Sequence, residues 1–489
     1  MAMDEGMLLA YPEQIAHGRL PYRDFETYYP PGNLLALLAA YKLSDFAVIT
    51  ERAVGLIYQL AIVGALFVTL RRWSLPLAAG AAILATLIVK VAQLTAFAWW
   101  GGVACILWSI IALTGATSLC RIAVAGFLGG SALLFRQDLG LAVIASTLPL
   151  LLRLSGRDRI RYLGFALVAL LPLLLITVMV GVRSIFDNLF VFPVLICNPA
   201  RRLPFSESSF GGLVIFGMHV LAVLVNVMAS SMLVRERRDS VDARLLLGVS
   251  LIGLAITPQA LQRFDILHLA FAAICSIPIL PFTASWLLGR LADWHPSPKR
   301  EVAVLAVTLG SLGAVAGLDP TLGRNYSISS DLYSAPLVVR DREIPIGDPI
   351  LYKQLTRIAG ILEKYSRPGQ RIFVGPGDLR RTAFCDVYFY HLFPWLTPSS
   401  YFMEMNPLSA NRDGSRLAND IASADWVILN RWYERLREPN ASNHLGPDAP
   451  NEVIRQQFKL HEEIGAFLVY ERNGRSAALD FDVLSPPSR

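Results

Sequence analysis

From residue 33 to residue 318, apolar runs alternate with short polar or basic breaks. The runs at 49–70, 75–92, 94–114, 162–182, 211–234, 266–288 and 301–318 are of the length that crosses a hydrocarbon core, which takes about 20 helical residues. Those at 122–135 and 139–152 are shorter, 244–257 links the basic cluster at 235–238 to the polar insert at 262–268, and 33–43 is too short to cross alone. It reads as a surface or re-entrant helix, or as part of a kinked span that starts near Tyr28. Beyond about residue 320 the pattern changes. RIFVG (371–375), DWVILN (425–430) and FLVYE (467–471) read as strands, with helical periodicity at 349–365, 414–423 and 451–460. The expected fold is an all-α polytopic membrane domain over 33–319 followed by a small α/β domain over 320–489. Residues 1–32 form a polar, proline-broken segment ahead of both.

Composition supports the bilayer. The chain has 489 residues, of which 54% are hydrophobic and 17% charged. A soluble domain carries about 25% charged residues. The net charge is +6, but the basic residues are spread in small clusters between apolar runs, which argues against a nucleic-acid partner. If Arg71–Arg72, Arg153–Arg161, Arg235–Arg238 and Arg290–Arg300 face the cytoplasm, alternation turns the other polar inserts outward. These are the N-terminal segment, Arg136-Gln137-Asp138, the loop 183–210 with Arg201 and Arg202, and Gln262–His268. The α/β domain then lies on the outer side as well. Of five cysteines, Cys105, Cys120 and Cys275 lie in apolar runs, while Cys197 and Cys385 lie outside them, where a disulfide is open to them. VGPGD (374–378) fits no nucleotide-binding motif and reads as a turn.

Ionisable residues in apolar surroundings are costly and default to paired or functional positions. Arg136 is a candidate for binding a phosphate, with Asp138 as its partner; the alternative is an ion pair bracing two short helices. Arg263, Asp265 and His268 form R-x-D-x-x-H at the head of an apolar run, where Arg263 suits phosphate or sugar and the Asp265–His268 pair alone makes a weak metal signal. Arg201 and Arg202 could meet a lipid phosphate or simply headgroups. Arg23 offers a bidentate fork that Asp24 would hold in place, or the two merely fix a loop.

The stretch Asp4 to Gly32, DEG followed by GRLPYRDFETYYPPG, resembles the first outer loop of GT-C membrane glycosyltransferases. The likeness is to the branch that includes protein O-mannosyltransferases and aminoarabinose transferases. In that family the loop carries Asp-Glu, and Pro-Pro introduces the next helix; Asp4-Glu5 and Pro30-Pro31-Gly32 stand in those places. The resemblance implies Asp4 as catalytic base, with Glu5 as support or as ligand to a divalent cation. It also implies a polyprenyl-phosphate sugar as donor and a glycan, lipid or protein as acceptor. The family has a transmembrane helix before Asp-Glu, whereas three residues precede Asp4 here, so the first helix is expected to be missing.

The sequence therefore predicts a multi-pass enzyme of the cell membrane, in contact with membrane lipids, that transfers a sugar at the outer face. Asp4 and Glu5 are its catalytic candidates. Arg23, Asp24, Arg136, Asp138, Arg201, Arg202, Arg263, Asp265 and His268 are its donor-binding candidates. The rivals are a transporter or flippase of lipid-linked sugars, which would need no catalytic carboxylate, and an inactive truncated relative.

Overall fold

A computed structural model describes residues 3–115, 118–205, 209–291, 298–318, 335–406 and 408–474. The expected domain boundary at 319/320 lies outside the described residues. The chain divides into two compact units, as far as each is described: Thr27–Val191 with Arg202–Ser329, and Met1–Glu26 with Phe192–Arg201 and Ser330–Arg489. Residues 1–32 are thus split between the two.

The first unit is helical, a multi-pass membrane domain. Its helices are α2 (Gly32–Leu43), α3 (Val48–Leu70), α4 (Leu75–Val89), α5 (Ala98–Leu113), α6 (Leu119–Phe135), α7 (Gly140–Leu151), α8 (Gly156–Ala169), α9 (Leu171–Val180), α12 (Phe210–Glu236), α13 (Val241–Ile256), α14 (Pro258–Gln262), α15 (Ile266–Ala273), α16 (Leu280–Leu291) and α17 (Pro298–Leu318). Among the described residues, Val48–Leu70, Leu75–Ala92, Phe210–Glu236 and Val241–Gln262 are long and apolar enough to span singly. α8 and α9 form a fifth candidate bent by 46°. Pro172, at the start of α9, lacks the N–H that would continue the α8 ladder.

The run 244–257 lies in a helix that continues to Gln262. Two expectations are corrected here. The run 266–288 is not one helix, because residues 274–279 form turns between α15 and α16, with Pro278 and Pro281 breaking the ladder. The loop expected over 183–210 is helical over much of its length, as α10 (Val182–Phe186), a wide π-type helix over Asp187–Cys197 and α11 (Asn198–Arg201). Close helix packing rests on glycines. A Cβ on Gly126 would lie 2.3 Å from the Tyr162 carbonyl oxygen, and one on Gly130 would lie 2.1 Å from that of Ala166, so α6 and α8 touch backbone to backbone.

The second unit is built on a five-stranded sheet in the order β4 (Thr397–Pro398), β3 (Arg371–Pro376), β5 (Trp426–Asn430), β7 (Phe467–Arg472), β6 (Phe458–Ile464). β3 runs parallel to β4 and β5, and β7 is antiparallel to β5 and β6. β1 (Ala335–Val339) and β2 (Arg342–Ile346) make a separate hairpin. All five residues of β5 are buried, as befits a central strand. The helical periodicity expected over 451–460 ends at Gln457, and Phe458 onward is the edge strand β6. Pairing with β7 outweighs local propensity there. The N-terminal segment, expected to be irregular, is helical over Met3–Ala16 (α1) despite Pro12. It packs on the helix Tyr388–Leu392, where a Cβ on Gly6 would lie 2.8 Å from the Tyr388 nitrogen. Cys197 and Cys385 are buried free thiols, so the disulfide is not formed.

Candidate functional site

Two sequence inserts meet in the helical unit, and both read R-x-D. Between α6 and α7, Arg136 donates from Nε and Nη2 to the Asp138 carboxylate at 2.9 and 2.6 Å. Between α14 and α15, Arg263 Nε donates to Asp265 at 2.8 Å. At Arg136 the aspartate two residues on grips one edge of the guanidinium and fixes its plane, and at Arg263 the aspartate two residues on takes Nε, both charge-assisted arrangements. Asp265 also caps α15, accepting from the His268 backbone N–H at 3.0 Å and standing 2.9 Å from its Nδ1.

The inserts are joined by Gln259, whose side-chain amide donates to Asp138 at 2.7 Å, one turn before Arg263. Aromatics complete the link. The Arg136 guanidinium lies 4.4 Å from the Tyr29 ring centre and 4.9 Å from that of Trp99. Trp99 packs on Phe271 at 5.5 Å, and Phe271 meets the His268 ring edge-on at 5.8 Å. Trp99 is delivered by the break before α5, which α2 and α3 hold: Asn33 donates to the Ala96 carbonyl (2.9 Å), and the Ala96 N–H donates to Glu51 (2.6 Å). Gln137, between Arg136 and Asp138, donates to the carbonyls of Tyr28 and Leu189, both at 3.0 Å. Arg202 is exposed, and the next residue, Leu203, forms a backbone bridge with Arg263.

Beside this polar cluster is an apolar cavity of about 250 Å³, lined in part by Ile266, Ala270, Ala273 and Ile277. These residues recur at helical spacing along α15 and into the turn beyond it. One short helix therefore presents charge at its first turn and apolar surface along its length.

The α/β unit holds the remaining candidates. Asp4 is partly exposed in the first turn of α1, and Glu5 is buried. Arg23 and Asp24 form an ion pair at 2.8 Å in the turn Pro21–Phe25; Asp24 also accepts from the Leu20 N–H, and the Arg23 side chain is half exposed. The hydrogen bond from Arg23 is the main cause that holds the Asp24 carboxyl below its usual range, with the Leu20 N–H also contributing. Arg201 stands 3.6 Å from the buried Glu404.

Sequence reasoning missed two buried groupings in this unit. Glu13 of α1 pairs with Arg342 and lies 3.2 Å from His391 Nδ1. Glu26 is fully enclosed; burial first, and the Glu404 carboxylate second, push its carboxyl well above the usual value. No spacing rule links these residues, because their partners lie 329 and 378 positions apart for Glu13. In the helical unit, Gln259 and Trp99 were missed too, although both stand beside breaks in apolar runs. Among the described residues no group of three His, Cys, Asp or Glu side chains is placed to hold a metal ion.

This architecture, a bundle of apolar helices with a C-terminal sheet domain, is the GT-C type of membrane fold. The chain is similar over its whole length to ArnT from Cupriavidus metallidurans bound to undecaprenyl phosphate, with a TM-score of 0.51 and 13% identity over 95% of that chain. It is also similar to the apo state of ArnT, with a TM-score of 0.51 and 14% identity over 96% of this chain and 93% of that one. No protein-family model and no curated protein sequence matches the chain.

Proposed function

We propose that the protein is a membrane glycosyltransferase. It takes a sugar from a polyprenyl-phosphate donor and passes it to a glycan, lipid or protein acceptor at the outer face of the membrane. The observation that carries this reading is the charged head of α15, with Arg263 just before it and His268 in its first turn, linked through Gln259 and Asp138 to Arg136, together with an apolar cavity along the same helix. A phosphate with a long isoprenoid tail has that shape and polarity. The ArnT neighbour, bound to undecaprenyl phosphate, supports the same ligand class.

In this reading Asp4 removes the proton from the acceptor hydroxyl as it attacks the anomeric carbon, the usual task of a placed carboxylate. Glu5 supports it. Arg136 and Arg263, held by their aspartates, stabilise the charge that develops on the departing phosphate. Arg23, Arg201 and Arg202 are further phosphate or headgroup contacts, with Asp24 orienting Arg23. The test is transfer of label from a radiolabelled polyprenyl-phosphate sugar to an acceptor by the protein in proteoliposomes. Movement of the lipid across the bilayer without transfer favours a flippase and contradicts the proposal.

A further inference from the structure

We propose that His219 is a positioning residue: with Asn226 it pins the break between α15 and α16, and so holds the helix that carries the charged head and lines the apolar cavity. The inference rests on the lipid-phosphate reading and deepens it. Residues 274–279 leave the helical ladder inside the membrane domain, and backbone freed there needs partners from protein. His219 and Asn226, both fully buried, are seven residues apart and so share one face of α12.

The His219 ring is held at both nitrogens, with Nδ1 2.8 Å from the Ser276 hydroxyl and Nε2 3.0 Å from the Thr257 hydroxyl. Asn226 donates to the Ser276 carbonyl at 2.8 Å and accepts from the Thr283 hydroxyl at 2.5 Å. Ser276 lies within the break and Thr283 just past it, so the two residues of α12 clamp both sides. Each hydroxyl can donate or accept, which satisfies a neutral imidazole in either tautomer. Gly253 of α13 lets a third helix close in, since a Cβ there would be 3.3 Å from Ser276 Cβ.

What the clamp holds is the lipid-facing segment. Ala270 and Ala273 of α15 and Ile277 of the break line the cavity, and so does Ile215, one turn before His219 on α12. Leucines at 219 and 226 would pack α12 in the bilayer but would leave the Ser276 carbonyl without its donor. Loosening the break would let α15 shift, and with it both the cavity wall and the Asp265 cap that orients His268 and Arg263.

The test compares wild type, His219→Ala and His219→Gln in detergent, using undecaprenyl phosphate as the probe. It measures the dissociation constant and the hydrogen exchange of amides between 270 and 280. His219→Ala should weaken binding about tenfold, the effect of losing roughly one net hydrogen bond's support, and should speed exchange across the break. His219→Gln, which keeps a donor and an acceptor, should restore most of both. Faster exchange with unchanged affinity in His219→Ala would leave His219 a brace only and overturn the inference, as would unchanged exchange or equal losses in the two variants. Failure of the wild-type protein to bind the probe would instead remove the lipid reading, and this inference with it.

Discussion

Gln259 donates its side-chain amide across 2.7 Å to Asp138, 121 residues earlier in the chain, and so joins two charged inserts. Asp138 in turn grips Arg136 along one edge of its guanidinium. Removing Gln259 should therefore free the aspartate rather than the arginine. Gln259→Ala is expected to weaken donor binding several-fold, whereas Asp138→Ala, which strips a largely enclosed arginine of a charge-assisted partner worth about 1.5–3 kcal/mol, should weaken it about 10- to 100-fold. Donor KM values for the two variants, with kcat measured alongside, check the ranking.

Arg263 is held through Nε by Asp265, and its side chain is largely enclosed. A lysine has no planar fork to be oriented in this way. Arg263→Lys should thus behave more like Arg263→Ala than like wild type in binding undecaprenyl phosphate. Titration of the two variants with that lipid checks the prediction, and full retention of affinity by the lysine would assign the site a simple point charge.

Glu26 gives a pH dependence with a definite sign. Burial first, and the Glu404 carboxylate second, raise its carboxyl well above the usual 4.5, which favours the neutral form in the folded protein. Its contribution to stability is fully present below pH 4.5 and is lost as pH rises through the raised folded value. The α/β unit should melt at progressively lower temperature as pH rises above 4.5. Glu26→Gln should flatten that slope and raise Tm at pH 8. Thermal melts of both proteins across this range supply the measurement.

Gly6 sits where α1 meets backbone, since a Cβ there would come within 2.8 Å of the Tyr388 nitrogen. Backbone cannot step aside as a flexible side chain can, and overpacking of this kind costs about 1–3 kcal/mol. Gly6→Ala should lower the Tm of the protein and speed amide exchange in α1. Gly18→Ala, where a Cβ would meet nothing within 4 Å but φ is +81°, should have the smaller effect, that of backbone strain in a turn.

The bundle was legible because bilayer length and apolar composition leave few alternatives for runs such as Val48–Leu70. The central strands β3, β5 and β7 were legible because strands buried over half or more of their length read as short apolar runs between turn signals. What the sequence hid was set by distant contacts. The break after Ala273 lies in an apolar run whose prolines were outweighed by hydropathy, and β6 is a strand only because β7 lies beside it. The two R-x-D inserts stood out as charge in apolar sequence, but nothing local says that Gln259 and the Trp99–Phe271 pair bring them together. Glu13 and His391 are silent for the same reason.

The most direct test is the transfer of radiolabelled sugar from a polyprenyl-phosphate donor by reconstituted wild-type and Asp4→Asn proteins, with the fold of each checked by its melting temperature. The account predicts transfer by wild type and a loss of roughly 10²–10⁴-fold in kcat for Asp4→Asn, the range expected when a general base is removed. Donor binding should stay within about threefold, since the proposed mechanism gives Asp4 the acceptor hydroxyl and leaves the donor phosphate to the arginines. Equal transfer by the two proteins would contradict it.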